Sequence, residues 1–569
     1  MHIVLIETSG NQRYIFATNK LRENVGASEL TYGIGTELTL QAVDKLFSEP
    51  FYIPDVTPDV RTLRRRIEHG PHLGAGHPVE VIVATSGKAL LLVQDEIIGE
   101  QIIREVTEKA LRCAPGVTVH GTIVSVGQET AAGVHTAIGD AHEALERVRY
   151  DVPGTEQRFL RLPFVEACAT SGLPAQRYDA TGPKDEWGVR SAVTLAKRQS
   201  FNDGQWRIES AVHGTGFKLS MSRSVDMLER RFDQFNWLAV IHADGNGIGN
   251  IFLNFVDHAG GAEASVEAYI DAYRRFSLAL DTCTENAFAQ ALQALADRFD
   301  RRSERAATQN PLDLPVVPLV LGGDDLTVLC DGRYAVRFTC DFLRAFEDET
   351  RQRGIYEGII PQIAQSALGA GRLSSCAGIA VVKPHFPFHA AYELAEALLK
   401  SAKQVKQKNS VPSSALDYHL LYDASGADLQ RIRDRLKPEG NTYLVGRPYV
   451  VTPPEMLGEQ ASGAWVSPRL WQRLEARVEA MQPQQGDGEP QRALANTMLH
   501  TLREGLFLGR EAADARMQLV RHRYPNKRFG TLLAEGVEPE SLFRIDEKDG
   551  KPCYITGFLD ALDLLEFWQ

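Results

Sequence analysis

Nowhere in the sequence do about 18 apolar residues follow one another, so no membrane-spanning helix is expected. There is no basic excess either. Lys and Arg total 62 against 74 Asp and Glu, a formal net charge of -12. That balance argues against broad, sequence-independent nucleic-acid binding, which needs a basic surface, and leaves room for a local basic pocket. No C-x-x-C pair occurs. The seven cysteines (113, 168, 283, 330, 340, 376 and 553) are scattered, which gives no zinc spacing and fits reduced thiols in a cytoplasm. The N-terminus, MHIVLIETSGNQRY, carries only a short apolar run and no cleavage pattern, so it is not read as a signal peptide.

What is present is an ordinary folded composition, 43% hydrophobic and 24% charged. The 569 residues exceed what one core can organise, so about three or four domains are expected. Residues 1–7 read as a strand and GNQRYIFATNKLREN as a helix. VEVIVA (79–84) and ALLLV (89–93) form a hairpin through Thr85-Ser86-Gly87-Lys88. Residues 95–112 read as a helix and 117–126 as a strand, which completes a β-α-β-β-α-β unit of ferredoxin-like type. A basic, loop-like insertion around RTLRRRIEHG interrupts it.

The same order then recurs. A strand at 237–243, a hairpin at 316–330, a helix at 335–350, a strand at 374–382 and a long helix at 387–408 repeat the unit, with a helical insertion near 261–302. The expected fold is therefore α+β: two ferredoxin-like palm domains (1–165 and 236–429), a linker region (166–235) and a C-terminal helical domain (430–569) without strand runs. MQPQQGDGEPQ (481–491) reads as a polar loop.

LVLGGDDLTVL (319–329) carries the chemistry. Two adjacent aspartates at a hairpin tip repel each other, and a bound cation is the first candidate to compensate them. In a ferredoxin-like sheet the first strand lies beside the third. The end of strand one, HADGNGIG, therefore faces the turn, and Asp244 meets Asp324 and Asp325. Three carboxylates at one edge suit hard divalent cations such as Mg²⁺, two of which can clamp an in-line displacement. Gly322 and Gly323 allow positive φ and close substrate approach, and Gly245, Gly247 and Gly249 offer backbone N–H groups to phosphates. Lys400 and Lys403, on the helix after strand four, could reach a triphosphate.

At these residues the sequence resembles a known family. GGDDL, ADGNGIG and AGIAVVKPHFPFHAAYELAEALLKSAK are similar to the second palm domain of the large subunit of type III CRISPR effector complexes, a family related to GGDEF nucleotide cyclases. SGNQRYIFATNKLRENVGAS resembles the start of that family's first palm, and CATSGLPA (168–175) the remnant of its inter-palm linker. The likeness spans roughly residues 1–430. It implies Mg²⁺- or Mn²⁺-dependent conversion of ATP into cyclic oligoadenylate messengers in antiviral defence, in the cytoplasm, with other effector subunits and guide RNA as partners. It implies Asp244, Asp324 and Asp325 as metal ligands and catalytic residues, Lys403 on the triphosphate, and Asn246 and Gly249 near the nucleotide. The family's HD nuclease domain is expected to be absent, because the chain opens directly in palm one, and a zinc site is not expected from one linker cysteine. Palm one, with TSGK at its turn, is expected to be catalytically empty yet to contribute to a nucleotide interface. Two other readings stay open: a scaffold subunit whose catalysis is lost or secondary, and a diguanylate cyclase.

Overall fold

The computed structural model describes residues 1–46, 60–74, 76–151, 155–182, 184–212, 217–219, 224–232, 235–300, 312–422, 426–484, 491–492, 494–524, 529–533, 541–548 and 551–568. Two sheets repeat one topology. In the first, β1 (His2–Ser9), β2 (Val79–Thr85), β3 (Lys88–Val93) and β4 (Thr118–Ser125) lie in the order β2-β3-β1-β4, every pair antiparallel. In the second, β5 (Leu238–Gly245), β6 (Val316–Gly322), β7 (Asp325–Asp331) and β8 (Ser375–Val382) lie in the order β6-β7-β5-β8. Strand β9 (Ala415–Leu420) then adds parallel to β8, and β10 (Tyr449–Val450) pairs with β9. This is the expected ferredoxin-like arrangement, twice over.

The strands are apolar almost throughout because both faces of each sheet are covered. Ile3, Val4, Leu5 and Ile6 are successive and all fully buried. The helices needed for the description are α1 (Leu21–Gly33), α2 (Val60–Glu68), α3 (Glu96–Cys113), α4 (Ala131–Asp151), α5 (Val266–Asp300), α6 (Gly332–Thr350) and α7 (Phe388–Ala402). Helix α3 lies on the β1–β4 face that carries Val4 and Ile123, against which Gly99 packs. Helix α4 covers the other face, where the Thr122 hydroxyl donates to the Ala141 carbonyl. In palm two, α7 comes so close to β8 that a Cβ on Gly378 would stand 2.0 Å from the Ala395 carbonyl oxygen. Only glycine admits that approach. Since Gly378 pairs with His242, α7 covers the face that carries His242 and, two residues on, Asp244.

Several expectations need correction. The helix read over GNQRYIFATNKLREN is two helices, Asn11–Ile15 and α1, with a break between them. The loop-like basic insertion is a helix, α2, whose buried residues Val60, Leu63, Arg64 and Ile67 follow the i, i+3, i+4, i+7 stripe. Arg64 sits in that stripe, so a charge occupies a place where an apolar side chain signals a helix. Residues 166–235 hold more than a linker: a hairpin (Arg177–Asp179 with Gly188–Arg190) precedes helices Ala192–Gln199 and Phe201–Ala211, which pack on α1. The C-terminal region is mostly helical but contains strands. Arg544–Lys548 pairs with Lys551–Ile555, and Thr442–Tyr443 lies alongside. Their pattern is inverted: Ile545 is exposed, while Asp546 turns toward Arg469 at 3.1 Å, so alternation does not announce the strand. Of the polar stretch 481–491, residues 485–490 lie outside the described residues.

The C-terminal helix Phe558–Leu565 is bound to palm two through Asp560. Its carboxylate accepts from the Gly446 N–H (2.7 Å), Arg447 Nε (2.6 Å) and the Tyr449 hydroxyl (2.6 Å), all fully or nearly fully buried. Close packing of α7 on β8 gives a direct test of the fold. Gly378→Ala is expected to lower stability by about 3 kcal/mol or more, because backbone must move to admit the methyl group. Chemical denaturation with a far-UV signal measures it, and a loss below about 1 kcal/mol would show the helix to be looser than described.

Candidate active site

The turns β2–β3 and β6–β7 occupy the same place in the two palms, and they face each other. A Cβ on Gly322 would come within 2.1 Å of the Ser86 hydroxyl, so the tip of one hairpin touches the tip of the other. Gly323 has φ 62°, a left-handed conformation the two-residue turn requires. Between and beside the turns lies a cavity of about 730 Å³, a size usual for small-molecule sites. Glu7, Ser86, Lys88 and His142 line it from palm one, and Gly322, Gly323, Asp324, Asp325 and Tyr392 from palm two. Phe16, Tyr32, Phe252 and Tyr273 add aromatic walls.

Strand register brings the carboxylates to one edge. The β5–β7 ladder pairs Ala243 with Leu326; one step further sets Asp244 opposite Asp325. Asp324 lies against the end of β5, where a Cβ on Gly245 would meet its Oδ2 at 2.8 Å. Burial first, then the charge of Asp325, push Asp324 up to about 6. His242 Nδ1 is 3.2 Å from Thr327 Oγ1 and 3.3 Å from Asp325 Oδ1, while its Nε2 faces the Tyr392 hydroxyl at 3.2 Å. One tautomer serves Thr327 and Tyr392, with the Tyr392 hydroxyl donating to Nε2 and Nδ1–H donating to Thr327 Oγ1. With Nδ1 engaged by Thr327, Asp325 Oδ1 is buried without a hydrogen bond among the described residues. Tyr392 is in turn stacked on Phe16 of palm one, with centroids 4.3 Å apart.

Lys403, at the C-terminal end of α7, is ion-paired with Asp244. Burial, then the neighbouring Lys406, push Lys403 down to about 8, which leaves it charged at neutral pH. Neither Asp244 nor Lys403 lines the cavity, and the ligand oxygens of Asp244, Asp324 and Asp325 do not all lie within 4.8 Å of one another. Lys400 is exposed and paired with Glu396 at 2.7 Å. Gly249 lines the cavity. Asn246 is turned into the fold, donating to Ser374 Oγ (3.0 Å), Cys376 Sγ (3.3 Å) and the Ser413 carbonyl (3.1 Å), so its side chain ties β5 to β8. The donor set suits a hard divalent cation: carboxylates at a sheet edge, one of them raised by burial and then by its neighbour, and one with a buried, hydrogen-bond-free oxygen.

Palm one shows what has replaced this. In the same register Glu7 opposes Lys88, so an acid–base pair stands where palm two has two acids. Lys88 Nζ is 2.9 Å from His142 Nε2, and Glu7 also pairs with Arg149 at 3.1 Å. Burial lowers Lys88, and burial followed by the charge of Lys88 pushes His142 down to about 4, so the ring is a neutral acceptor. Sequence reasoning missed Glu7, His142, Tyr392 and Lys406. Glu7 was recoverable by aligning the two first strands, and Lys406 from its spacing of three from Lys403. Burial lowers Lys406, while the charges of Cys376 and Asp324 pull the other way.

Residues 237–412 match the family model described as Cas10/Cmr2, second palm domain. Among solved structures the chain is similar to the Csm1-Csm4 cassette in complex with pppApApA (13% identity, 99% of this chain and 69% of that one, TM-score 0.47). It is similar also to Csm1 in T. onnurineus (12% identity, 100% and 70%, TM-score 0.46) and to the Csm1-Csm4 cassette in complex with AMPPNP (12%, 100% and 70%, 0.43). No curated protein matches the sequence.

The raised Asp324 has a consequence for the metal-free chain. Its folded pKa, about 6, lies above the usual carboxylate value of about 3.9, so the protonated form is the one the fold prefers. That contribution is fully present below about pH 4 and is lost as pH rises through about 6. In chelator, Asp324→Asn, which stays neutral, is expected to match wild type near pH 4 and to melt at a higher temperature at pH 7.5. Scanning calorimetry across that range checks it. A variant less stable than wild type at pH 7.5 would show the repulsion to be compensated within the protein.

Proposed function

We propose that this chain is a nucleotidyltransferase that joins ATP into 3′–5′-linked cyclic adenylates, as a Cas10-type subunit acting with other CRISPR effector proteins. The observation that carries the reading is the shared cavity, lined by the adjacent acids Asp324 and Asp325 on the palm-two side and by Glu7 opposite Lys88 on the palm-one side. A donor nucleotide then lies with its triphosphate at Asp324 and Asp325, and an acceptor presents its 3′-hydroxyl from palm one. The hydroxyl attacks the α-phosphate, pyrophosphate leaves, and ring closure repeats the same displacement within the chain of nucleotides.

Asp244, Asp324 and Asp325 would hold Mg²⁺ or Mn²⁺, which when bound supplies charge neutralisation at the phosphates and a lower pKa for the attacking hydroxyl. The protein's own groups do the positioning. His242, fixed by Tyr392 and Thr327, stands beside Asp325 and walls that side of the site. Lys403 exchanges its carboxylate partner for the triphosphate, as a charge already in place on the end of a buried helix. On the opposite side Lys88, backed by neutral His142, meets the acceptor's phosphate. The aromatic walls offer stacking faces to the bases. The adenine assignment follows the resemblance of GGDDL and SAK to the family. Because both half-sites belong to one chain, catalysis does not need a homodimer.

Incubating the purified chain with each NTP and Mg²⁺ or Mn²⁺, followed by mass spectrometry and nuclease digestion, tests this. Cyclic 3′–5′ adenylates are expected, with rate first-order in enzyme. Asp324→Ala with Asp325→Ala should lower the rate by at least about 100-fold without unfolding the chain. A guanine product would contradict the substrate, a second-order dependence on enzyme would favour a dimeric cyclase, and RNA binding without nucleotide turnover would favour the scaffold.

A further inference from the structure

The two turns are held by more than their sheets. Helix α5 packs against β2 and β6, the strands that enter them. Its residues 281, 284 and 285 form one stripe at i, i+3 and i+4. Asp281 is 5% exposed, and both carboxylate oxygens are engaged. Oδ1 accepts the Gly323 N–H, from palm two, and Oδ2 accepts the Thr85 hydroxyl, from palm one, at 2.9 Å. Thr284 donates its hydroxyl to the Gly323 carbonyl at 2.6 Å. The residue before Asp324 is therefore gripped by both of its backbone groups from one helix. Arg64 of α2 closes the arrangement, 3.8 Å from Asp281 Oδ2 and bidentate with Glu285 at 2.8 and 2.7 Å. Helices α2 and α5 are the insertions of palm one and palm two, so an ion pair joins the two insertions behind the two turns.

We propose that Asp281 is the positioning residue that ties the two palm turns into one unit and thereby fixes Gly323 and the carboxylates that follow it. It rests on the proposed function only for its effect on turnover. A left-handed glycine is the least restrained residue in a chain, and a carboxylate accepting its N–H is a stronger restraint than a neutral acceptor. The same carboxylate fixes where Thr85 stands, and with it the palm-one side of the cavity. Asp281 does not face the nucleotide; it acts through Gly323 and Thr85.

Amide hydrogen exchange on the full chain tests the tether without any turnover. In Asp281→Ala the Gly323 and Asp324 amides should exchange at least about tenfold faster than in wild type. Asp281→Asn keeps an acceptor for the Gly323 N–H and can donate to Thr85 Oγ1, so protection should stay near wild type. In turnover with ATP, Asp281→Ala should lower kcat at least about tenfold and leave KM within about threefold, with Asn restoring kcat. Thr85→Val added to Asp281→Ala should lower kcat no further, since both remove one tether. Unchanged exchange in the Ala variant, or additive losses in the double variant, would overturn the proposal. If Asp281→Ala does not fold, Thr85→Val decides: lower kcat at an unchanged melting temperature supports the tether, and wild-type kcat overturns it. Inactive wild-type protein would remove the proposed function and leave the exchange result to decide the tether.

Discussion

Adjacent carboxylates at a hairpin tip repel, and the burial of Asp324 raises the cost of its charge. The second palm is built around that repulsion. Asp244 is brought up on the neighbouring strand by register, and the end of α7 delivers Lys403 against it. Gly378 lets α7 lie close enough on the sheet for His242 and Tyr392 to meet. The turn itself is anchored from behind by α5, with Arg64 and Glu285 balancing charge in the interior. Together these features hold the carboxylates of the β6–β7 turn and the end of β5 in place at one sheet edge.

The two palms share a topology and differ at a few residues. The pair formed by Asp244 and Asp325 in one is Glu7 and Lys88 in the other. Glu7 faces a base instead of a second acid and is ion-paired with Arg149 at 3.1 Å, so palm one has no opposed carboxylates at this edge. The opposed turns make one cavity asymmetric in charge, with Asp324 and Asp325 on one side and Glu7 opposite Lys88 on the other. Phe16 stacked on Tyr392, and Tyr392 bonded to His242, connect palm one to the carboxylate edge of palm two by a short chain of contacts.

Both palms were legible in the sequence because their strands are short apolar runs, and the doubled β-α-β-β-α-β order fixes which strand meets which turn. From that order alone Asp244 could be set beside Asp325. Tertiary partners were not legible. Asn246 looks like a nucleotide contact by position, yet its amide is directed at Ser374, Cys376 and Ser413. Asp281 is one acid among many on a long helix, and nothing local marks it as the residue both turns share. Helix α2 was hidden by Arg64 in its apolar stripe, and the C-terminal hairpin by Asp546 in an inward place. In each case an ion pair with a distant segment substitutes for the apolar side chain that periodicity looks for.

The central claim, that the acidic turn of palm two is a divalent-metal site completed by nucleotide, is tested most directly by counting bound Mn²⁺. Electron paramagnetic resonance titration of the full chain with a non-hydrolysable ATP analogue should show about two Mn²⁺ per donor site, as in two-metal displacements. That binding should vanish in the Asp324→Ala, Asp325→Ala variant while the chain stays folded. Wild-type Mn²⁺ binding in that variant would contradict the claim.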